Sequence, residues 1–344
     1  MFSNRLKVAR KMAGLSLEQL AERVGGITKQ SLCNYENGTR KPDSTFLIKI
    51  SNVLKVKPDF FFRENNVNLQ SFEYRKKSSK LSQKEKNMIE EKVRDLLERY
   101  LELENLLGDF PRFENPLMND SYKDIEQAVI LLRSKWNLGN SPIKNLIETL
   151  EENGVRILEI DDDNDFDGLA VWDGICPNIV INSNKNDIVR RRMTVAHELG
   201  HLLFILPDNM TVKEKENLCF RFAGEFLIPR NVLIQELGEH RSSLTENELS
   251  HIKNEYGISI QGIIRHAYNI GIISKSMYIN FCIKVRKNGW EKYEFGEYSG
   301  NESPVRNANM LFRAVSESII SSSKAASIAN ISESEFLKAM KILL

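Results

Sequence analysis

Cysteine is scarce in this chain and poorly placed for pairing. Cys33, Cys176, Cys219 and Cys282 are spread over 344 residues with no Cys-x-x-Cys spacing. That suits buried thiols in a reducing cytoplasm better than a disulfide framework or a cysteine zinc site. Long apolar runs are missing as well: none reaches the roughly 18 residues of a membrane helix. Met1-Phe2-Ser3-Asn4-Arg5-Leu6-Lys7 leads straight into helical periodicity instead of a signal peptide. A cytoplasmic location without a membrane partner is therefore expected. Net charge is almost absent at +1, yet it is unevenly placed. Residues 1–65 carry 12 Lys/Arg against 6 Asp/Glu, a basic head on a mildly acidic remainder. Such a head suits a polyanionic partner.

Histidine is also rare, at five residues, and two of the five stand four apart in Val195-Ala196-His197-Glu198-Leu199-Gly200-His201. On a helix, positions four apart share a face one turn apart. Two imidazoles so placed can meet one zinc ion, and Glu198 beside them can act as general base toward a bound water. A catalytic zinc takes three protein ligands. Downstream, Leu218, Cys219, Phe222, Ala223, Phe226 and Leu227 recur at steps of three and four, which predicts a buried amphipathic helix ending near Pro229. Glu216, near its start, is the expected third ligand, and Glu225, nearer its end, is the rival.

These residues carry a resemblance. Arg190-Arg191-Arg192-Met193-Thr194-Val195-Ala196-His197-Glu198-Leu199-Gly200-His201 resembles the ImmA/IrrE family of metallopeptidases. That family has an Arg-rich lead-in to a Phe-Thr-Leu-Ala-His-Glu-Leu-Gly-His core. Its third zinc ligand is a Glu three residues before an Ala/Cys-Asn-x-Phe-Ala run that closes with Met-Pro. Here Glu216 precedes Cys219 by three, Phe222-Ala223 follow, and Ile228-Pro229 close the run. Met193 replaces the usual Phe and Phe220 the frequent Asn, neither at a ligand position. The resemblance spans Ser121 to Ser274. It implies a zinc endopeptidase whose substrate is a specific regulatory protein, often a DNA-bound repressor.

The N-terminal stretch is read helix by helix. Asn4–Ala13 is predicted helical, with Leu6, Ala9 and Met12 inward and Arg5, Lys7, Arg10 and Lys11 outward. Ser16 caps the second helix with Gln19 as capping-box partner, and Thr28 caps a third over Lys29–Asn37. Asp43 caps a fourth, and Pro58 opens a short aromatic turn. This pattern predicts a helix-turn-helix module. Leu20-Ala21-Glu22 through Asn34-Tyr35-Glu36-Asn37-Gly38-Thr39-Arg40-Lys41-Pro42 is similar to Xre/Cro-type DNA-binding domains. On that resemblance Lys29, Gln30, Ser31 and Asn34 would face the major groove of double-stranded DNA. Arg10, Thr39, Arg40 and Lys41 would hold phosphates. A solvated basic face that binds protein is the alternative.

Residues 65–80 read as an exposed basic connector. Ser82–Leu107 reads as one long helix whose stripe packs on its own protein or on a second copy, so a homodimer is open. Strands are expected at 155–160, 168–172 and 178–182. Lying along the zinc helix, they would offer an edge where an extended peptide can add as a strand. Asp161-Asp162-Asp163 lacks the spacing of a calcium loop and reads as a solvated turn. His266 could face the cleft and stabilise an oxyanion, or pack as an ordinary histidine. Met277–Lys284 and Trp290–Phe295 read as a strand pair, followed by three helices.

The expected fold is mainly α with a small β-sheet, an α+β arrangement. It comprises an all-α helix-turn-helix head (1–66), a linker and long helix (67–110), a zincin-like metallopeptidase domain (111–275) and a mixed C-terminal module (276–344). The expected function is a DNA-binding regulator with Zn2+-dependent endopeptidase activity, through His197, His201, Glu216 and Glu198. A transcription factor whose zinc domain is a non-catalytic sensor or structural site is the alternative.

Overall fold

In the computed structural model, residues 2–63, 71–74, 81–110, 112–118, 120–163, 166–185, 187–290 and 293–341 are described, with the backbone alone at 71–74. Among the described residues the chain is mainly helical with one small sheet. It divides into two compact units: residues 1–69, 78–110 and 305–344 form one, and residues 70–77 and 111–304 the other.

The first unit begins with α1 (Phe2–Met12), α2 (Leu17–Val24), α3 (Lys29–Glu36), α4 (Ser44–Leu54) and a 3-10 turn at Pro58–Phe62. The predicted caps are present: Ser16 and Gln19 close a capping box, and Thr28 and Asp43 accept from backbone N–H groups three residues on. Leu6, Leu20, Leu32, Ile50 and Phe61 form the core. Arg5, expected outside, is buried. Its Nη2 lies 2.6 Å from Glu98, its Nε donates to the Arg63 carbonyl at 3.0 Å, and its guanidinium sits 5.0 Å from the centre of the Phe60 ring.

Glu98 belongs to α5 (Gln83–Leu107), so the long helix packs into this unit. Its stripe of Ile89, Val93, Leu97, Tyr100 and Leu103 is buried here, which accounts for the stripe without a second copy. The unit is completed by α14 (Arg306–Ser316), α15 (Ser322–Ala329) and α16 (Glu333–Met340). Arg306 donates to Tyr100 and Glu104, and Arg99 donates to the Ile328 carbonyl.

The second unit holds a sheet of order β1-β3-β4-β2. Its strands are β1 (Ser71–Tyr74), β2 (Arg156–Ile160), β3 (Gly168–Trp172) and β4 (Pro177–Asn182). β2 pairs parallel with β4, while β3 runs antiparallel to both β4 and β1. The connector was expected to carry no structure, yet 71–74 is a strand; the basic run at 75–80 lies outside the described residues.

Around the sheet stand α6 (Ile125–Lys135), α7 (Leu146–Glu152), α8 (Ile188–Leu203), α9 (Val212–Leu227), α10 (Arg230–Leu237), α11 (Glu246–Tyr256), α12 (Ile260–Asn269) and α13 (Lys275–Asn288). α7 starts at an Asn145 cap, and the Ser141 carbonyl accepts from buried Arg133. Met277–Lys284 is not a strand but part of α13, fixed by Ser274 at its N-cap and Gly289 in the left-handed region at its C-cap. Residues 293–304 carry no regular element.

Candidate metal centre and candidate nucleic-acid face

The candidate metal centre is built on α8 and α9. Asp187 caps α8 and a Thr211/Glu214 capping box starts α9, so both helices have fixed entry points. Close approach of the two depends on Gly200. A Cβ there would lie 3.0 Å from Phe222 Cδ1 and 3.3 Å from Cys219 Cβ. The contact brings His197 and His201 of α8 against Glu216 of α9, with His197 fully buried. The Nε2 atoms of the two histidines are 3.2 Å apart. Glu216 Oε1 is 3.3 Å from His201 Nε2, and Oε2 is 3.5 Å from His197 Nε2. A regular tetrahedron with zinc–ligand bonds of about 2.0–2.1 Å has edges of about 3.3–3.4 Å. The two imidazole nitrogens stand at about that edge length, each Glu216 oxygen lies at about that distance from one of them, and the nitrogen and oxygen donor set suits that ion. Burial alone would lift the Glu216 carboxyl. Hydrogen bonds and charge from His197 and His201 outweigh it and hold the carboxyl well below the usual carboxylate range.

Glu198 is fully buried beside these ligands. The first residue of β3 is Gly168, where a Cβ would meet Thr194 Cγ2 at 2.6 Å and Glu198 Cγ at 3.6 Å. Only a glycine lets the strand lie this close to α8. Phe220 covers His197 from α9, with ring centroids 4.1 Å apart.

The arginine lead-in anchors α8. Arg190 donates to both oxygens of Asp167 at 2.8 and 2.9 Å, and Arg191 reaches Glu159 at 2.8 Å. Arg192 is fully buried. It pairs with buried Glu302 and donates to the carbonyls of Gly257, Ile143 and Tyr256. Glu302 in turn accepts from the Leu146 and Ile147 N–H groups at the start of α7. No sequence signal pointed to Glu302, which sits in an irregular stretch.

The rival ligand lies elsewhere. Glu225 accepts from the Arg230 N–H at 2.6 Å, and burial pushes its pKa up to about 7. His266 is buried, its Nε2 donating to the Ile228 carbonyl at 3.0 Å and lying 3.4 Å from Glu225. Burial lowers its pKa to about 4, so it is a neutral packed histidine at pH 7. It borders a cavity of about 300 Å³ that Met193, Asn217, Phe220, Arg265 and Tyr278 also line.

On the first unit, Lys29 and Gln30 are exposed at the start of α3, with Ser31 and Asn34 half-buried. Thr39, Arg40 and Lys41 are exposed just beyond the helix, where the Asn34 carbonyl accepts from the Thr39 and Arg40 N–H groups. Arg10 differs from its expected role as a phosphate holder. Its guanidinium grips both oxygens of Glu36 at 2.6 and 2.8 Å and donates to the Leu15 carbonyl at 2.9 Å, which ties α1 to α3. Spacing showed that Arg10 could face outward, but not that Glu36 would claim it.

Comparison with known proteins finds two family matches. Residues 6–61 match the family model for a helix-turn-helix, and residues 150–266 match that for an IrrE N-terminal-like domain. Over 63 residues, the chain is 41% identical to "Uncharacterized HTH-type transcriptional regulator YqaE" of Bacillus subtilis (strain 168), covering 18% of this chain and 53% of that protein. It is 38% identical over 63 residues to "HTH-type transcriptional regulator ImmR" of the same organism, covering 18% and 49%. The chain thus spans about half the length of the curated relatives it matches. No solved structure gives a significant match. Among the described residues, no helix is long and apolar enough to cross a membrane.

Proposed function

We infer that this chain, which carries a helix-turn-helix domain and an IrrE N-terminal-like domain, is a DNA-binding regulator that hydrolyses peptide bonds in a specific regulatory protein. The observation that carries the reading is the grouping of His197, His201 and Glu216, with contacts of 3.2 to 3.5 Å among their donor atoms and Glu198 buried next to them.

Those three residues would hold zinc, which supplies Lewis-acid chemistry: it acidifies water and polarises a carbonyl. Glu198 takes the proton from the attacking water and returns it to the leaving amine nitrogen. Its burial keeps bulk water from competing for that proton. His197 and His201 donate neutral imidazole nitrogens, and Glu216 offsets part of the cation's charge. Arg192 and Glu302 hold the N-terminal half of α8 in place. Lys29, Gln30, Ser31 and Asn34 would read bases in the major groove, and Thr39, Arg40 and Lys41 would hold phosphates. Residues 1–66 are the DNA-binding part of this reading, and 111–275 the peptidase part.

The test is Glu198→Gln, which keeps size and hydrogen bonding and leaves all three ligands. Zinc content, measured by atomic absorption, should stay near one per chain. Cleavage of the protein trapped by this variant should fall by about a hundred- to ten-thousand-fold. A sensor or structural zinc gives the opposite pattern: Glu198→Gln behaves as wild type while His201→Ala loses both metal and phenotype.

A further inference from the structure

The sheet offers one edge beside the candidate catalytic residue, and this chain fills it with its own backbone. One side of β3 is paired with β4 along its whole length, from Gly168 opposite Ile181 to Trp172 opposite Pro177. The other side faces β1, with Ser71 opposite Trp172 and Tyr74 opposite Leu169. Leu169 is followed toward the site by Gly168, the position that lies against Thr194 and Glu198. The C-terminal end of β1 is thus one pairing step from the strand residue that touches the general base.

We propose that Ser71–Tyr74 is an internal competitor, holding the outer edge of β3 on which an extended segment of a protein substrate would dock. The inference rests on the peptidase reading for what happens to the docked segment, not for the docking itself.

One general principle and two observations support it. A substrate strand on this edge would be recognised through main-chain hydrogen bonds, the general mode of β-strand addition. β1 has only four residues, and its partner lies roughly a hundred positions away, so the pairing is non-local and carries a loop-closure cost. The rest of the sheet does not depend on it. β3, β4 and β2 form a continuous three-stranded ladder, with Leu169, Val171, Ile179, Val180 and Ile181 buried. β1 can leave without breaking that ladder, whereas β4 cannot. Displacement of β1 would then be the step that admits substrate. The displaced segment lies in the connector between the helix-turn-helix module and α5, so events in that connector could reach the site through it.

The experiment uses the full zinc-loaded chain. In the variant carrying Phe72→Pro and Glu73→Pro, prolines remove ladder donors. A second variant, Phe72→Gly with Tyr74→Gly, keeps every donor but weakens the strand, and guards against a disturbance special to proline. Hydrogen exchange is followed in the segment 168–172. A labelled synthetic peptide of residues 69–77 of this chain is titrated by fluorescence anisotropy. Exchange in 168–172 should quicken at least tenfold in both variants, and the added peptide should restore protection. That peptide should bind the variants at least tenfold more tightly than wild type. Unchanged exchange in both variants, or equal peptide affinity for variants and wild type, overturns the proposal. Neither readout needs turnover. If the edge opens and binds peptide while Glu198→Gln leaves all cleavage intact, the docking edge stands and the peptidase reading falls.

Discussion

Replacing Gly200 with alanine tests whether the helix contact sets the metal centre. A Cβ at 200 would sit 3.0 Å from Phe222 Cδ1 and 3.3 Å from Cys219 Cβ. Ordinary contact between carbons is about 3.5–4.0 Å, so α9 must yield by roughly half an ångström. Two effects on stability oppose each other. Alanine is better than glycine inside a helix by roughly 0.8–1.0 kcal/mol. Overpacking a tight core costs roughly 1–3 kcal/mol. The metal-free protein should therefore lose only about 0–2 kcal/mol, read as the urea midpoint at constant m. The metal centre has no such offset. Its donors lie 3.2 Å apart within α8 and 3.3 to 3.5 Å apart between α8 and α9, and a workable site tolerates only about 0.2 Å in each bond. Moving Glu216 away from both histidines should weaken zinc binding by about ten- to a hundredfold, the range for lost support around ligands. Competition with a chelator of known affinity measures it. A zinc affinity equal to wild type, with Gly200→Ala folded, would refute the claim that Gly200 sets the spacing.

Other expectations follow from charge and burial. Glu302→Ala strands the fully buried Arg192 and two N–H groups of α7, and should cost about 3–5 kcal/mol in urea unfolding; a loss under about 1 kcal/mol would show that water replaces Glu302. Glu225 and His266 set opposite pH dependences. The raised Glu225 pKa, about 7, gives stability that is full below about pH 4.5 and is lost as pH rises through 7; the lowered His266 pKa, about 4, gives stability that is full above about pH 6.5 and is lost as pH falls through 4. The two slopes cancel between about pH 4.5 and 6.5, so Glu225→Gln should make unfolding midpoints fall on acidification over that window where wild type stays level. A level profile in the variant would contradict the assignment. Arg40→Ala should weaken DNA binding to all sequences and lower its salt dependence with the thermal midpoint unchanged, whereas Arg10→Ala should lower the thermal midpoint first, because it unties α1 from α3; the reverse order would return Arg10 to the phosphate contacts.

Much of the helical framework was readable because local chemistry agreed with it. Ser16 with Gln19, Ser82 with Glu85 and Ser332 with Glu335 are capping boxes visible in sequence, and each starts a helix. The strand pair expected in 277–295 failed for a specific reason. Tyr278, Ile279, Phe281, Ile283 and Val285 supply strand-like composition, but Ser274 and Gly289 frame a helix, and Ile279 and Ile283 are exposed on it. Non-local partners left no trace in local pattern. Arg5 looked like a surface residue until Glu98 met it. Ser71–Tyr74 looked like connector because its pairing partner is β3. The grouping of His197, His201 and Glu216 was suggested by spacing within helices, but the closeness of the two helices depends on Gly200, which spacing alone does not reveal.

The division of the chain also has a consequence for its biosynthesis. Residues 305–344 belong to the same unit as the helix-turn-helix module, and the whole of the other unit lies between them in sequence. Translation therefore delivers every residue of the histidine-bearing unit before it delivers the helices that complete the DNA-binding unit. Arg99, whose partner is the Ile328 carbonyl, and Glu104, whose partner is Arg306, must wait for that late segment. On a ribosome the sequence of the histidine-bearing unit is thus complete while the unit that carries the helix-turn-helix module is still unfinished.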